Sequence, residues 1–137
     1  RLNLPDDVLF VSDRLIRILL KIFEDYTENR QKNPPTNDRP ENFVLRTAMH
    51  LLNILACSVH GTDKSLVGQI AIPVAMNLIR TKVKLKEPDE ILEVTWSFLW
   101  NITDETPENC KIFLDDCNGM ECFMNCIEFK KLELTRN

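Results

Sequence analysis

The chain has 137 residues, 44% hydrophobic and 28% charged, an ordinary composition for one soluble globular domain with a real core. Its net charge of −4 argues against nucleic acid or an anionic membrane as partner, and no apolar run approaches the ~20 residues that span a bilayer. No signal-peptide pattern opens the chain. Three glycines and few strand-like alternations point to an all-α fold, and a start at Arg1 without methionine reads as a fragment of something longer.

In chain order, Pro5 with Asp6 and Asp7 predicts a helix start. Ser12 is placed to cap a second helix, with Leu15, Ile16, Leu19, Ile22 and Phe23 at helical spacing. From Thr27 to Pro40 the apolar residues vanish, and the prolines at 34 and 35 cannot hold a helix, so 27–40 reads as a loop. Pro40 and Glu41 open the next helix. Its stripe is Val44, Leu45, Ala48, Leu51, Leu52 and Leu55, its end lies near Ser58, and His50 reads as a partly buried core histidine. Gly61, Thr62 and Asp63 make a turn. A short helix follows, then a longer one from about Ile72 to Lys84 with Pro73 in its first turn. Arg80, Lys82, Lys84 and Lys86 read as a solvated helix end that complements the dipole.

Pro88, Asp89 and Glu90 start the helix of greatest interest. At about 100° per residue, Ile91, Val94, Thr95, Phe98 and Ile102 share one side, and Glu93, Ser97, Trp100, Asn101 and Asp104 share the other. The first group is a buried stripe. The second carries an indole between an amide and carboxylates, which suits a peptide or another cationic polar ligand. The alternative is that Trp100 packs on a neighbouring repeat and Asp104 merely lies near the helix end. Thr106 then caps a helix with Pro107 at its first position, running to about Asp116. Asn118 and Gly119 break it, and Met120 to about Leu132 forms the last helix.

Five cysteines without a secretory signal fit a reducing compartment, hence a cytoplasmic or nuclear protein. Cys110, Cys117, Cys122 and Cys126 lack the paired knuckles of a zinc site, and Cys122 and Cys126 sit one helical turn apart as two buried small residues would. No metal or other cofactor is expected. No phosphate loop or nucleophile motif is present, so the chain does not read as an enzyme.

Laid on itself with a shift of 48 residues, the chain aligns Pro40 with Pro88, Thr47 with Thr95, Leu51 with Leu99, Asn53 with Asn101 and Ile54 with Ile102. Met76 and Asn77 fall on Met124 and Asn125. Repeats of ~40–47 residues built from two or three helices mark armadillo and HEAT-like solenoids. The run Ala71-Ile72-Pro73-Val74-Ala75-Met76 resembles the opening of an armadillo second helix. The expected architecture is an armadillo-like α-solenoid, a right-handed superhelix of two to three repeats. Residues 1–60 form a partial repeat, 61–105 a complete one and 106–137 a second partial one. In armadillo proteins the asparagines at the places of Asn53 and Asn101 form a ladder that holds an extended peptide by its backbone, since an amide donates and accepts at once.

Leu99-Trp100-Asn101-Ile102-Thr103-Asp104-Glu105-Thr106-Pro107, with Asn109, Cys110 and Phe113 following, is more specific. Over roughly Trp96 to Phe123 it resembles the Zyg-eleven and Zer-one family, with Ile102 for leucine and Thr106 for serine in the family motif. Members are substrate receptors of Cullin-two RING E3 ubiquitin ligases that recognise an exposed N-terminal glycine. The resemblance implies that Asp104 pairs with the degron's α-ammonium, Asn101 binds its first peptide unit, and Trp100 walls the space beside the glycine Cα. It implies contacts to cullin-RING subunits through regions outside this chain, and a presenting rather than catalytic role. The competing reading is a structural armadillo scaffold that binds a protein partner through another surface. Exposed apolar repeat ends also suggest self-association.

Overall fold

A computed structural model describes residues 6–32 and 39–136, with side-chain environments for 13–30 and 42–132. Every regular element among these residues is helical: α1 (Asp6–Lys32), α2 (Arg39–Ser58), α3 (Gly61–Lys84), α4 (Glu90–Thr103), α5 (Pro107–Lys111) and α6 (Gly119–Arg136). A wide π-type turn over Ile112–Asp116 continues α5. Helix α1 packs on α2 and α3, α2 lies along α4, and α3 touches α4, α5 and α6. This is an all-α, armadillo-like stack around one core, with Phe23, Met49, Leu52, Ile72, Met76, Leu78, Ile79, Phe98 and Ile102 fully buried.

Several expectations from the sequence change. The N-terminal stretch is one helix rather than two, since α1 runs unbroken past Ser12. The stripe Ile16, Leu19, Leu20, Phe23 and Tyr26 is buried along its length. A serine favours a cap but tolerates an interior position, and burial of a continuous stripe outweighs that preference. The helix also continues through Thr27, whose hydroxyl donates to the Phe23 carbonyl at 2.8 Å, to Lys32. Arg30 there pairs with Glu87. The expected loop 27–40 is therefore helical at 27–32 and 39–40. Its prolines at 34 and 35, and Pro5, lie outside the described residues.

Residues 61–84 likewise form one helix with Pro73 inside it. Proline forfeits one backbone hydrogen bond and crowds the preceding turn. Here Pro73 is exposed, while Gly68, Ala71, Ile72, Ala75 and Met76 are buried on either side of it. Burying that face against α1 and α4 overrides the break.

The cations at the end of α3 are not all solvated. Lys82 is 0% exposed. Its Nζ lies 2.9 Å from Glu87 Oε2 and 2.7 Å from Asp89 Oδ2, and 5.1 Å from the centre of the Tyr26 ring. Position 82 falls one turn beyond Leu78 and Ile79 on the buried side of α3. The loop to α4 brings two carboxylates back over it. Asp89 serves twice, because its other oxygen accepts from the Leu92 N–H at 3.1 Å and caps α4.

Candidate peptide-binding face

Helix α4 begins at the Asp89 cap, with Glu90 and Glu93 against the positive end of its dipole. Ile91, Leu92, Thr95, Phe98, Leu99 and Ile102 are its buried side, and the Thr95 hydroxyl is satisfied by the Ile91 carbonyl at 2.6 Å. The opposite side holds every candidate residue of this helix. Trp100 is 77% exposed among the described residues. Asn101 Nδ2 donates to Asn53 Oδ1 at 2.8 Å, joining α4 to α2. One N–H of Asn101, both N–H groups of Asn53 and the Asn101 side-chain carbonyl are left for a ligand. Asp104 is exposed at the C-cap of α4, its N–H returned to the Trp100 carbonyl at 3.1 Å. Among the described residues no cation pairs with its carboxylate. Ser97 lies about 10 Å from Asp104 along the helix axis, its hydroxyl donating to the Glu93 carbonyl at 3.3 Å.

The repeat shift explains why this face is open. Met49, Leu52 and Ala56 on α2 are buried, whereas Ser97, Trp100 and Asp104, 48 residues later on α4, are exposed. In the same way His50 is exposed where Phe98, its equivalent, is buried. His50 is not a core histidine: its Nε2 lies 3.2 Å from Glu90 Oε1, where α4 begins beside α2.

The sequence reading missed the wall beside Trp100. Trp96, Leu99, Trp100, Thr103, Phe113, Met120 and Phe123 line an apolar groove of about 260 Å³. Trp96 meets Phe113 and Phe123 edge to face, with ring centres 6.2 Å and 5.4 Å away. The available signal was Trp96 one turn before Trp100, but the partner rings come from the π-type turn and α6, which helical spacing on α4 does not reveal. Gly119 makes room for this cluster. A Cβ there would come within 2.4 Å of the Phe113 ring. Gly119→Ala is expected to destabilise the fold by about 1–3 kcal/mol through overpacking, read as a lower urea midpoint at unchanged slope.

The cysteines hold no metal cluster among the described residues, and all five are free thiols. Cys122 and Cys126, one turn apart on α6, are both buried. The Cys122 thiol's hydrogen bond lowers Cys126 to about 7, helped by the Trp96 indole and Lys130 and opposed by burial. The same bond, with burial, raises Cys122.

Stacked helices in a 48-residue repeat, with an amide bridge between equivalent asparagines, define an armadillo-like α-solenoid. The chain belongs to the zer-1 family: the family described as "Protein zer-1 homolog-like, C-terminal domain" matches residues 1–137. It is 40% identical over 138 residues to the proteins named "Protein zer-1 homolog" of Drosophila melanogaster and Homo sapiens, covering 98% of this chain and 16% of each relative. It is 38% identical to "Zyg eleven-related protein 1" of Caenorhabditis elegans, again over 98% of this chain and over 14% of that relative. The chain thus spans about a sixth of the length of the relatives it matches. No solved structure matches it.

Proposed function

We propose that this chain is the peptide-reading module of an E3 ubiquitin-ligase substrate receptor, and that it recognises proteins with an exposed N-terminal glycine. The observation that carries the reading is the open Trp100–Asn101–Asp104 face, where a carboxylate that pairs with no cation among the described residues stands one turn from an exposed indole and beside the Asn53–Asn101 amide pair. An α-ammonium has a pKa near 7.7–8.0 and is mostly charged at neutral pH. Asp104 takes that charge, Asn101 meets the first peptide unit, and Trp100 excludes a side chain larger than hydrogen by clash. Asn53 and Ser97 extend the polar track over α2 and α4. Membership of the zer-1 family supports the receptor role. On this reading the module presents substrates without performing chemistry, contacts cullin-RING subunits through regions outside this chain, and works in the cytoplasm or nucleus.

The test is a fluorescent peptide with a free N-terminal glycine beside its N-acetylated twin. The free peptide should bind at least tenfold more tightly, and its affinity should fall as pH rises through about 8, where the ammonium deprotonates. Equal binding of the twins would sink the reading.

A second reading is a scaffold that docks a protein partner through another surface. The apolar groove between Trp96 and Phe123 favours it. It expects the groove variant Phe123→Lys to break an assembly and Asp104→Ala to leave it intact. If the docking partner is a second copy, light scattering at high concentration should show twice the mass of one chain.

A further inference from the structure

The turn that carries Asp104 is held from behind by residues far from it in sequence. After Asp104 the backbone enters the left-handed region at Glu105, with φ 53°, a conformation that costs a non-glycine residue energy and persists only where surrounding contacts impose it. The contacts that impose it come from α3 and α5. Asn109, 0% exposed, donates from Nδ2 to the Ile102 carbonyl at 2.8 Å and to the Lys64 carbonyl at 3.0 Å, bridging the last turn of α4 and the first turn of α3. Its Oδ1 is buried without a hydrogen-bond partner and lies over Gly68, where a Cβ would come within 2.0 Å of it. The Asp104 carbonyl accepts from Lys64 Nζ at 2.6 Å and from Thr106 Oγ1 at 2.9 Å. The Thr103 carbonyl accepts from the Thr106 N–H at 3.1 Å and from Cys110 Sγ at 3.2 Å.

The last carbonyls of a helix are normally unpaired and form the negative end of its dipole. An ammonium arriving at such an end would be shared among several weak acceptors. Here those of Ile102, Thr103 and Asp104 are already taken, and the exposed Asp104 carboxylate stands at that end. A buried amide with one oxygen unsatisfied is costly. It is tolerated here in a position that only glycine at 68 permits.

We propose that Asn109, seated over Gly68, is a positioning residue for Asp104: it closes the end of α4 so that a cationic peptide terminus meets one fixed carboxylate. The inference rests on the peptide-end reading above and deepens it by assigning the residues that set its discrimination.

The experiment measures the ratio of affinities for the free and acetylated glycine peptides in the 137-residue chain, in Gly68→Ala and in Asn109→Ser. Gly68→Ala displaces the amide, and Asn109→Ser removes it without adding bulk. Both should lower the ratio at least fivefold while circular dichroism shows the helices intact. Lys82→Ala, destabilised at the opposite end of α4, should keep the ratio of the unaltered chain and so separates positioning from general loss of stability. If Gly68→Ala does not fold, Asn109→Ser decides alone. A ratio unchanged in the folded variants overturns the positioning role and leaves the function standing. An unaltered chain that binds both peptides equally overturns the function, and the positioning role with it.

Discussion

Replacing Asp104 with alanine is expected to weaken binding of a free-amine glycine peptide roughly 10- to 100-fold, the equivalent of losing one charge-assisted hydrogen bond of about 1.5–3 kcal/mol. The acetylated twin should be unaffected, because an amide carries no charge for the carboxylate to meet. Asp104 is exposed, so the effect should lie towards the lower end at physiological salt and grow as salt is reduced. Asp104→Asn separates charge from shape. It keeps an acceptor oxygen in place but lacks the charge, and should lose most of the same affinity. Fold stability should hardly change in either variant, since no cation among the described residues pairs with the carboxylate. Fluorescence anisotropy on the peptide pair reads the first result and chemical denaturation the second. An Asp104→Ala chain that still prefers the free amine would mean that the ammonium is bound elsewhere.

Lys82→Ala is expected to be the most damaging single change to the fold, costing about 3 kcal/mol and lowering Tm by roughly 10 °C. The lysine is buried while Glu87 and Asp89 remain partly wet, with side chains 26% and 38% exposed. Removing the cation leaves two carboxylates facing each other, with Arg30 and Tyr26 to answer Glu87 among the described residues. Partial solvation of those carboxylates places the cost at the low end of the 3–5 kcal/mol typical of a broken buried pair. Lys82→Met keeps the packing over Tyr26 and should cost less than the alanine variant, so the difference between the two measures the lost stem. Calorimetry checks both. Helix α4 should become more mobile at its start, because Asp89 both pairs with Lys82 and caps that helix, and amide exchange at Leu92 would report it.

Much of the molecule was legible from its residues, for reasons local to each element. The start of helix α4 at Pro88, Asp89 and Glu90 and its two faces follow from side-chain spacing and turn chemistry within one stretch. The start of α5 at Pro107 and the break at Asn118 and Gly119 do as well, because proline and glycine act on their own backbone. The placement of Asn53 beside Asn101 could be anticipated without coordinates, since a repeat puts equivalent residues in register.

Where several elements compete for the same residue, local rules failed. Pro73 and Ser12 look like helix boundaries, yet each lies inside a helix whose burial outweighs one backbone bond. Lys82 and His50 exchange the environments expected of them, because a helix wheel gives a direction and not what stands in that direction. Sequence by itself determined the all-α class, the repeat and the membership of Trp100, Asn101 and Asp104 in one face. Tertiary structure alone decided that, among the described residues, the indole stays exposed and the carboxylate pairs with no cation, and that Asn109 lies over Gly68 beneath the turn. Exposure and pairing depend on residues up to 61 positions away, and a chain's own spacing cannot carry that information.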